Sequence, residues 1–270
     1  MKKTIKGKND VSIAVEDAGT GQPIIFLHGW PLNQQMFEYQ YNYFLAKGYR
    51  IIGIDLRGFG DSDLAIEDYG YDTLAEDVKA VVDELEIKDS ILVGFSMGGA
   101  IASRYMSRYD GHGVKKLVLI GAAAPLFTQR PDYPYGMKKE EVDELIVQAQ
   151  TDRPKMIQDF GKKLFHKHAS TPYKNWIASL AWQASSYGTI LSAIALRDED
   201  LRADLPKISA PTLICHGEKD EVCPYEFAEE MAKLIPQNVV VAFEKSGHGI
   251  FHDETEKLNE TMLRFIQKQV

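Results

Sequence analysis

Cysteine is scarce in this sequence, which has only Cys215 and Cys223 among 270 residues. Two cysteines are too few to hold a chain of this length together by disulfides. Cys215 follows the apolar residues Leu213 and Ile214, which favours a buried thiol in the core. Neither a Cys-x-x-Cys pair nor a Cys/His zinc spacing occurs, so the sequence predicts no zinc site.

Long hydrophobic runs are also missing. No window approaches the roughly 18 uninterrupted apolar residues that a transmembrane helix requires. The N-terminal residues 1–8 are basic and lack the apolar stretch of a secretory signal. The sequence therefore predicts a cytoplasmic protein without a membrane partner.

Positively charged residues are fewer than negatively charged ones. The sequence has 31 Lys and Arg and 39 Asp and Glu, which gives a net charge of −8. Nucleic-acid backbones and anionic membranes both select basic patches, so we expect neither as the main partner. The 44% of hydrophobic residues is enough to bury a full core. This composition excludes a disordered or collagen-like protein.

Short apolar runs alternate with longer amphipathic segments along the chain. The runs predict strands at Val11–Glu16, Pro23–Leu27, Tyr49–Ile54, Ser90–Gly94, Val114–Ile120, Pro211–His216 and Asn238–Phe243. The amphipathic segments predict helices at Gln34–Lys47, Thr73–Leu85, Met97–Tyr109, Pro224–Leu234 and Thr255–Lys268. This alternation, which has no internal repeats, predicts a parallel α/β sheet with right-handed connections.

A region without clear strands interrupts the alternation from about residue 126 to residue 205. It predicts helices at Glu140–Gln150, Pro154–His168, Tyr173–Ser185 and Ile190–Arg197. We therefore predict a helical cap, residues 126–205, inserted into a core made of residues 1–125 and 206–270. Aromatic residues of the cap either pack in the core or line an apolar pocket over the sheet, and they are Phe127, Phe160, Phe165, Trp176 and Trp182.

The segment Gly94-Phe95-Ser96-Met97-Gly98 carries the clearest chemical implication. It lies between a predicted strand and a predicted helix, the context in which Gly-x-Ser-x-Gly forms a sharp, strained turn. Such a turn exposes the serine hydroxyl at a helix N-terminus, whose partial positive charge stabilises developing anions. The motif predicts Ser96 as a nucleophile. The alternative is a plain glycine-rich turn in which Ser96 caps the helix.

A nucleophilic serine needs a base, and the base needs an acid that orients it. His248 follows the last predicted strand and Asp220 follows the strand before it, at the sheet edge where α/β proteins place their sites. His252 is the alternative base and Glu218 the alternative acid. We expect the other histidines to have no catalytic role. His28 is expected to shape a loop and His216 to make a structural hydrogen bond, and solvent-exposed positions are expected for His112, His166 and His168.

Acyl transfer also requires two N–H donors for the oxyanion of the tetrahedral intermediate. The main chain of Met97, directly after Ser96, is expected to supply one donor. The other is expected from Trp30, in the loop that follows the strand Pro23–Leu27. The side chain of Trp30 would also form a wall of the acyl pocket and limit the length of the acyl group.

Three segments together resemble the α/β-hydrolases, and they are His28–Pro31, Asp55–Asp63 and Gly94–Gly99. In detail the sequence resembles the arylesterases and the cofactor-free non-haem haloperoxidases, which are perhydrolases. This likeness extends to residues 125–134 and 200–205, and covers nearly the whole chain. The fold that it implies has a mostly parallel eight-stranded sheet, helices on both faces and an inserted helical cap.

The resemblance implies a serine esterase for small carboxylic esters, with perhydrolysis as a side activity. The positions that match the family's triad, oxyanion donors and acyl pocket are, in that order, Ser96, Asp220 and His248; Trp30 and Met97; and Phe127, Phe160 and Val222. A proline after the tryptophan is typical of the perhydrolase members, and here it is Pro31. Because proline restricts the preceding residue, our hypothesis is that Pro31 aims the Trp30 carbonyl at an attacking peroxide.

The sequence thus predicts an enzyme that cleaves a small-molecule ester through an acyl-enzyme and needs neither a metal nor an organic cofactor. A dehalogenase is disfavoured, because its nucleophile is an aspartate and Ser96 occupies that place. A lactonase or a carbon–carbon bond hydrolase would use the same triad, and a non-catalytic receptor for a small molecule would retain it. A homo-oligomer is compatible with the sequence, which contains no readable interface.

Overall fold

A computed structural model of the protein describes residues 1–268, and one eight-stranded sheet runs through them. Its strands are β1 (Lys2–Lys6), β2 (Ser12–Ala18), β3 (Pro23–Leu27), β4 (Arg50–Ile54), β5 (Ser90–Phe95), β6 (Val114–Ile120), β7 (Thr212–Gly217) and β8 (Asn238–Phe243). They lie in the order β1-β2-β4-β3-β5-β6-β7-β8, and only the pairs β1–β2 and β2–β4 are antiparallel. The prediction of a mostly parallel eight-stranded sheet is confirmed.

Strand β1 is absent from the strands that the apolar runs predict. Of its five residues only Ile5 is buried, and three of the others are lysines. It pairs with β2 at the edge of the sheet, where Ile5 lies opposite Ile13. Lysines on an edge strand discourage pairing with a second sheet, and they also hide the strand from a search for apolar runs.

Helices occupy the segments between the strands. In the described chain they are α1 (Glu38–Leu45), α2 (Tyr71–Glu84), α3 (Met97–Arg108), α4 (Lys139–Gly161), α5 (Thr171–Trp182), α6 (Ser186–Asp198), α7 (Glu226–Leu234), α8 (Ile250–Asp253) and α9 (Thr255–Gln267). The prediction of one helix over 34–47 is wrong in detail, because a 3₁₀ turn at Gln34–Phe37 precedes α1. Asn33 caps that turn through a hydrogen bond from the Gln35 N–H to its side chain.

Helix α4 joins two helices that the sequence predicts separately. The predicted break between them corresponds to a kink at Asp152, whose backbone angles (φ −148°, ψ 71°) are not helical. Pro154 accounts for the kink, because its ring clashes with the carbonyl four residues earlier. Asp152 then caps the second half by accepting a hydrogen bond from the Lys155 N–H. The helix ends at Gly161, so the prediction that it continues to residue 168 is wrong.

The helices α4, α5 and α6 lie between β6 and β7 in sequence, in the region that we propose as the cap. Hydrogen bonds tie this region to loops of the sheet. The Trp30 indole donates to the Thr189 carbonyl (2.8 Å), and the Ser185 N–H donates to the Gly58 carbonyl (2.8 Å). The side-chain amide of Asn33 donates to Gln183 Oε1 (3.0 Å). These contacts hold the cap helices over the carboxyl ends of the strands.

A buried ion pair fastens the loop after β4 to helix α2. Arg57 and Asp77 are each 1% exposed and are joined by two hydrogen bonds of 2.7 Å. The Lys8 N–H donates to the same carboxylate (2.9 Å). Both charges are therefore satisfied within a low-dielectric interior.

No helix within residues 1–268 is long and apolar enough to cross a membrane.

Candidate active site

Ser96 stands at the junction of β5 and α3, in the left-handed region of backbone conformation (φ 53°, ψ −120°). A non-glycine residue there is strained, and such strain concentrates at functional sites. The Ser96 side chain makes no capping hydrogen bond to α3, so the alternative of a simple helix cap is not what the structure contains. The hydroxyl remains available at the N-terminal end of the helix.

Two glycines allow the chain to pass close to Ser96. A Cβ on Gly98 would lie 2.2 Å from the carbonyl oxygen of Leu27, and a Cβ on Gly29 would lie 2.9 Å from the Cβ of Ser96. Only glycine fits at such distances. The loop after β3, which carries Trp30, is consequently packed directly against the turn that carries Ser96.

His248 and Asp220 form a buried hydrogen-bonded pair at the carboxyl ends of β7 and β8. His248 Nδ1 lies 2.7 Å from Asp220 Oδ2, and both side chains are almost fully buried. The other carboxylate oxygen accepts hydrogen bonds from the main-chain N–H groups of Val222 and Cys223, both at 2.8 Å. A carboxylate that is held in this way accepts the Nδ1 proton and leaves Nε2 as the free basic nitrogen of the imidazole.

The imidazole of His248 is packed next to the serine turn. Its ring centre lies 4.7 Å from that of Phe95, the residue before Ser96. A side chain on Gly121, after the neighbouring strand β6, would come within 3.4 Å of His248 Nδ1. The ends of β5, β6, β7 and β8 thus converge on one place, as expected for parallel strands.

The main-chain N–H groups of Trp30 and Met97 have no hydrogen-bond acceptor among residues 1–268. Buried N–H groups without a partner are rare in proteins, because each costs free energy. Both flank the serine turn, Met97 as the first residue of α3 and Trp30 on the loop packed against Ser96. Two such donors are what an oxyanion needs.

The three residues that the resemblance assigns to the acyl pocket are not all in one cavity. Phe160 and Val222 line a cavity of about 530 Å³ that also touches Asp220. Phe127 is buried but does not line that cavity, within the described residues. The Trp30 ring packs edge-on against Phe160, with ring centres 5.1 Å apart. The Trp30 side chain, which the sequence predicts as a wall of the acyl pocket, thus contacts Phe160.

The other histidines occupy positions away from this pair or make structural contacts. His28 is fully buried, with Nε2 accepting a hydrogen bond from the Leu56 N–H (3.0 Å), and burial lowers its pKa to about 4. His216 Nε2 lies 2.8 Å from the Cys223 carbonyl oxygen and 3.6 Å from Asp220. These contacts agree with the loop-shaping and structural interpretations of the two residues.

The alternative base and acid do not form a comparable pair. His252 is stacked on the ring of Tyr173, with ring centres 4.0 Å apart. Glu218 is exposed, and no histidine within residues 1–268 hydrogen-bonds to it. The geometry therefore favours His248 and Asp220 over His252 and Glu218.

Asp253 is a buried residue of this region that the sequence reasoning missed. It is 4% exposed, and its carboxylate accepts hydrogen bonds from the N–H groups of Gly247 (2.8 Å), His166 (2.9 Å) and Lys167 (3.1 Å). On the other side of His248, the Gly249 N–H donates to the Leu164 carbonyl (2.6 Å). The only local signal in the sequence is the position of Asp253 five residues after His248.

Residues 1–268 contain no group of three or more His, Cys, Asp or Glu side chains that would hold a metal ion. The residues Ser96, His248 and Asp220, together with two unpaired N–H groups, are a set that can attack a carbonyl carbon and hold the resulting oxyanion.

Comparison with known proteins identifies the family of the chain. The alpha/beta hydrolase fold family matches residues 22–255. The chain therefore belongs to the α/β hydrolase family, and the predicted fold class is confirmed.

Within this family, the chain is similar to esterases and to an esterase/perhydrolase. The chain is 54% identical to the AB hydrolase superfamily protein YisY of Bacillus subtilis, in an alignment of 261 residues that covers 97% of each chain. It is 32% identical over 274 residues to a bifunctional esterase/perhydrolase of Acinetobacter calcoaceticus (96% of this chain, 98% of the relative). An esterase from Exiguobacterium antarcticum superposes with a TM-score of 0.98 at 51% identity, over 99% of this chain and 100% of the esterase. The resemblance to esterases and perhydrolases is confirmed.

Proposed function

We propose that the protein is a serine hydrolase that cleaves small carboxylic esters through an acyl-enzyme. The observation that carries this proposal is the strained Ser96 turn, which is flanked by two N–H groups without acceptors and adjoins, through Phe95, the buried His248–Asp220 pair. A structural turn has no need of unpaired donors, whereas an oxyanion site does.

In the proposed reaction the Ser96 hydroxyl attacks the ester carbonyl while His248 Nε2 takes its proton. The Asp220 carboxylate keeps the imidazole in the required orientation and stabilises it once it is charged. The N–H groups of Trp30 and Met97 bind the oxyanion. His248 then gives the proton to the departing alcohol, and a water molecule releases the acyl group by the reverse sequence of proton transfers.

The size of the substrate follows from the surroundings of Ser96. Ser96 is only 5% exposed, and the residues that the sequence predicts around it, Trp30, Phe127 and Val222, are buried as well. Such an enclosed site favours small aryl or alkyl esters. The similarity to a bifunctional esterase/perhydrolase supports peroxide as a second acceptor of the acyl group.

Steady-state hydrolysis of p-nitrophenyl acetate, butyrate and octanoate tests the proposal. Ser96→Ala is expected to lower kcat/KM by about 10⁴-fold or more, because the nucleophile is lost. Ser103→Ala is the matched control, since Ser103 lies in the same helix and its hydroxyl only donates to the Gly99 carbonyl.

Turnover that survives in Ser96→Ala would contradict the proposal. Absence of Ser96-dependent turnover on all three esters would also contradict it, and lactones, carbon–carbon substrates and tight binding without turnover would then be tested in its place.

A further inference from the structure

The two edges of the sheet differ in charge. Strand β1, at one edge, carries three lysines, which discourage a further strand from pairing with it. Strand β8, at the other edge, has no charged residue among its six, and its residue Val239 is 55% exposed. An uncharged, exposed edge strand is a template with which another extended segment can pair.

The main chain of β8 has unused hydrogen-bonding groups on its outer side. The Phe243 carbonyl accepts a hydrogen bond from the Glu218 N–H (3.1 Å), on the side where β7 lies. Because the hydrogen-bonding direction alternates along a strand, the N–H and C=O groups of Val240 and Ala242 point away from β7. The Ala242 carbonyl accepts a hydrogen bond from Lys257 Nζ (2.8 Å), whereas no strand within residues 1–268 pairs with the outer side of Val240.

A groove of about 630 Å³, the β8 groove, runs between β8 and helix α9. Its apolar lining includes Leu213, Val239, Val241 and Phe265. Its charged lining residues within the described chain are Lys257, Arg264 and Lys268, and no Asp or Glu is among them. Three cations beside an apolar wall, on a chain whose net charge is −8, fit a segment that carries both apolar and acidic side chains.

A segment of this composition is exposed at the opposite edge of the sheet. Residues 61–68, the acidic loop, contain four acidic residues and no basic one. The Asp63 N–H donates to the Ser12 carbonyl (2.8 Å), which places the loop beside β2. Leu64 is 50% exposed and Ile66 is 71% exposed. The main-chain N–H and C=O groups of these two residues have no hydrogen-bond partner within residues 1–268.

We propose that the acidic loop of one copy of this chain binds in the β8 groove of a second copy. The two surfaces lie at opposite edges of one sheet, so they cannot meet within a single chain. Leu64 and Ile66 would cover the apolar wall, and their free main-chain groups would pair with the outer side of Val240. Glu67, which forms no salt bridge in the described part of the chain, would face Arg264.

Charge favours this head-to-tail contact over a symmetric dimer in which β8 pairs with β8. A two-fold axis would set helix α9 of both copies side by side and bring the Lys257 and Arg264 side chains of both together. Like charges at such a contact repel. A head-to-tail contact uses a different surface on each copy, and it therefore builds a ring or an open chain of copies.

Sedimentation equilibrium of the full chain, from about 5 to 500 µM, measures the association. The wild-type mass is expected to exceed that of one chain and to rise with concentration. Arg264→Glu and Glu67→Arg are each expected to weaken association about tenfold or more, and the two together in one chain to restore it, because the charges are then exchanged. Lys88→Glu changes an exposed residue outside both surfaces and is the control. A monomeric wild type, or association that Arg264→Glu leaves unchanged, would overturn the proposal.

A mixing experiment tests the head-to-tail arrangement. Val240→Pro removes one outward N–H without touching the pairing with β7, as edge strands allow. Ile66→Ser removes an apolar side chain of the acidic loop. Each variant alone is expected to be monomeric, and an equal mixture is expected to form a dimer that grows no further, because one intact loop and one intact groove remain.

A mixture that stays monomeric would overturn the head-to-tail arrangement, and so would a Val240→Pro variant that still associates by itself. Circular dichroism checks that each variant is folded. If Val240→Pro does not fold, Val239→Ser takes its place, since Val239 is exposed and lines the β8 groove.

Discussion

Asp253 is expected to position the His248 loop without touching the substrate. Its carboxylate joins Gly247, the residue before His248, to the cap residues His166 and Lys167. Asp253→Ala removes all three acceptor contacts and leaves three main-chain N–H groups without a partner. Asp253→Asn retains one oxygen, which can still serve Gly247 and His166.

The contacts of Asp253 set the size of the effect. A hydrogen bond to a charged group contributes about 1.5–3 kcal/mol, so three of them sum to about 4.5–9 kcal/mol. Recovery of the hydration of the lost carboxylate and relaxation of the loop offset part of this sum. We therefore expect Asp253→Ala to lower the free energy of unfolding by about 3–5 kcal/mol, and Asp253→Asn by about 1–3 kcal/mol.

The catalytic consequence follows from the loss of one of the two main-chain contacts that flank His248. A displacement of a catalytic group by about 1 Å costs about 100-fold in rate. We expect Asp253→Ala to lower kcat for p-nitrophenyl acetate by about 10- to 100-fold with little change in KM, and Asp253→Asn to restore much of kcat. Urea unfolding and steady-state kinetics measure the two effects on the same samples, with the exposed Glu256→Ala as the control.

A folded Asp253→Ala variant with wild-type kcat would refute the reasoning, because the loop would then hold His248 without this carboxylate. A loss confined to KM would also refute it, since a displaced base slows the chemical step.

Three further predictions concern the stability of the fold and the transfer of the acyl group to peroxide. Asp77→Ala leaves the buried Arg57 charge unpaired and is expected to cost about 3–5 kcal/mol in urea unfolding, whereas a cost below about 1 kcal/mol would contradict the burial of that pair. Arg50 lowers the pKa of Asp17 to about 2, so the ionised carboxylate adds about 2 kcal/mol to the free energy of unfolding. This stabilisation is present above the unfolded pKa near 3.9 and is lost as the pH falls towards 2. The free energy of unfolding of Asp17→Asn, measured by urea unfolding, should therefore fall less steeply with decreasing pH. Pro31→Leu is expected to lower the ratio of perhydrolysis to hydrolysis, measured with peroxide added to the acetate assay, and an unchanged ratio would sink the hypothesis that Pro31 aims the Trp30 carbonyl.

Much of the site could be predicted from the sequence because its signals are local. A strand end, a glycine-flanked serine and a helix start lie within residues 90–108, and they locate Ser96 without any knowledge of distant contacts. The polar residues after β7 and β8 are expected at one edge, because neighbouring parallel strands end on the same side of the sheet. Asp220 and His248 consequently meet where the pattern predicts.

The pattern fails where the signal is not local. Strand β1 has one buried residue in five, so its pairing with β2 decides its structure more than its own hydrophobicity does. The predicted helix to residue 168 ends at Gly161, because the following segment turns to bind Asp253 and Gly249. Tertiary contacts there outweigh helix propensity.

The sequence by itself determined the sheet strands other than β1, the nucleophile turn and the order of the proposed triad, since each rests on residues that are neighbours in the chain or on parallel strand ends. Only the tertiary structure decided which N–H groups lack acceptors, that Asp253 braces the His248 loop, and that Phe160 packs against the Trp30 ring. The last two of these features join residues that are more than 80 positions apart, Asp253 with His166 and Phe160 with Trp30. Their distances depend on how the cap packs on the sheet, and no periodicity within one segment encodes that packing.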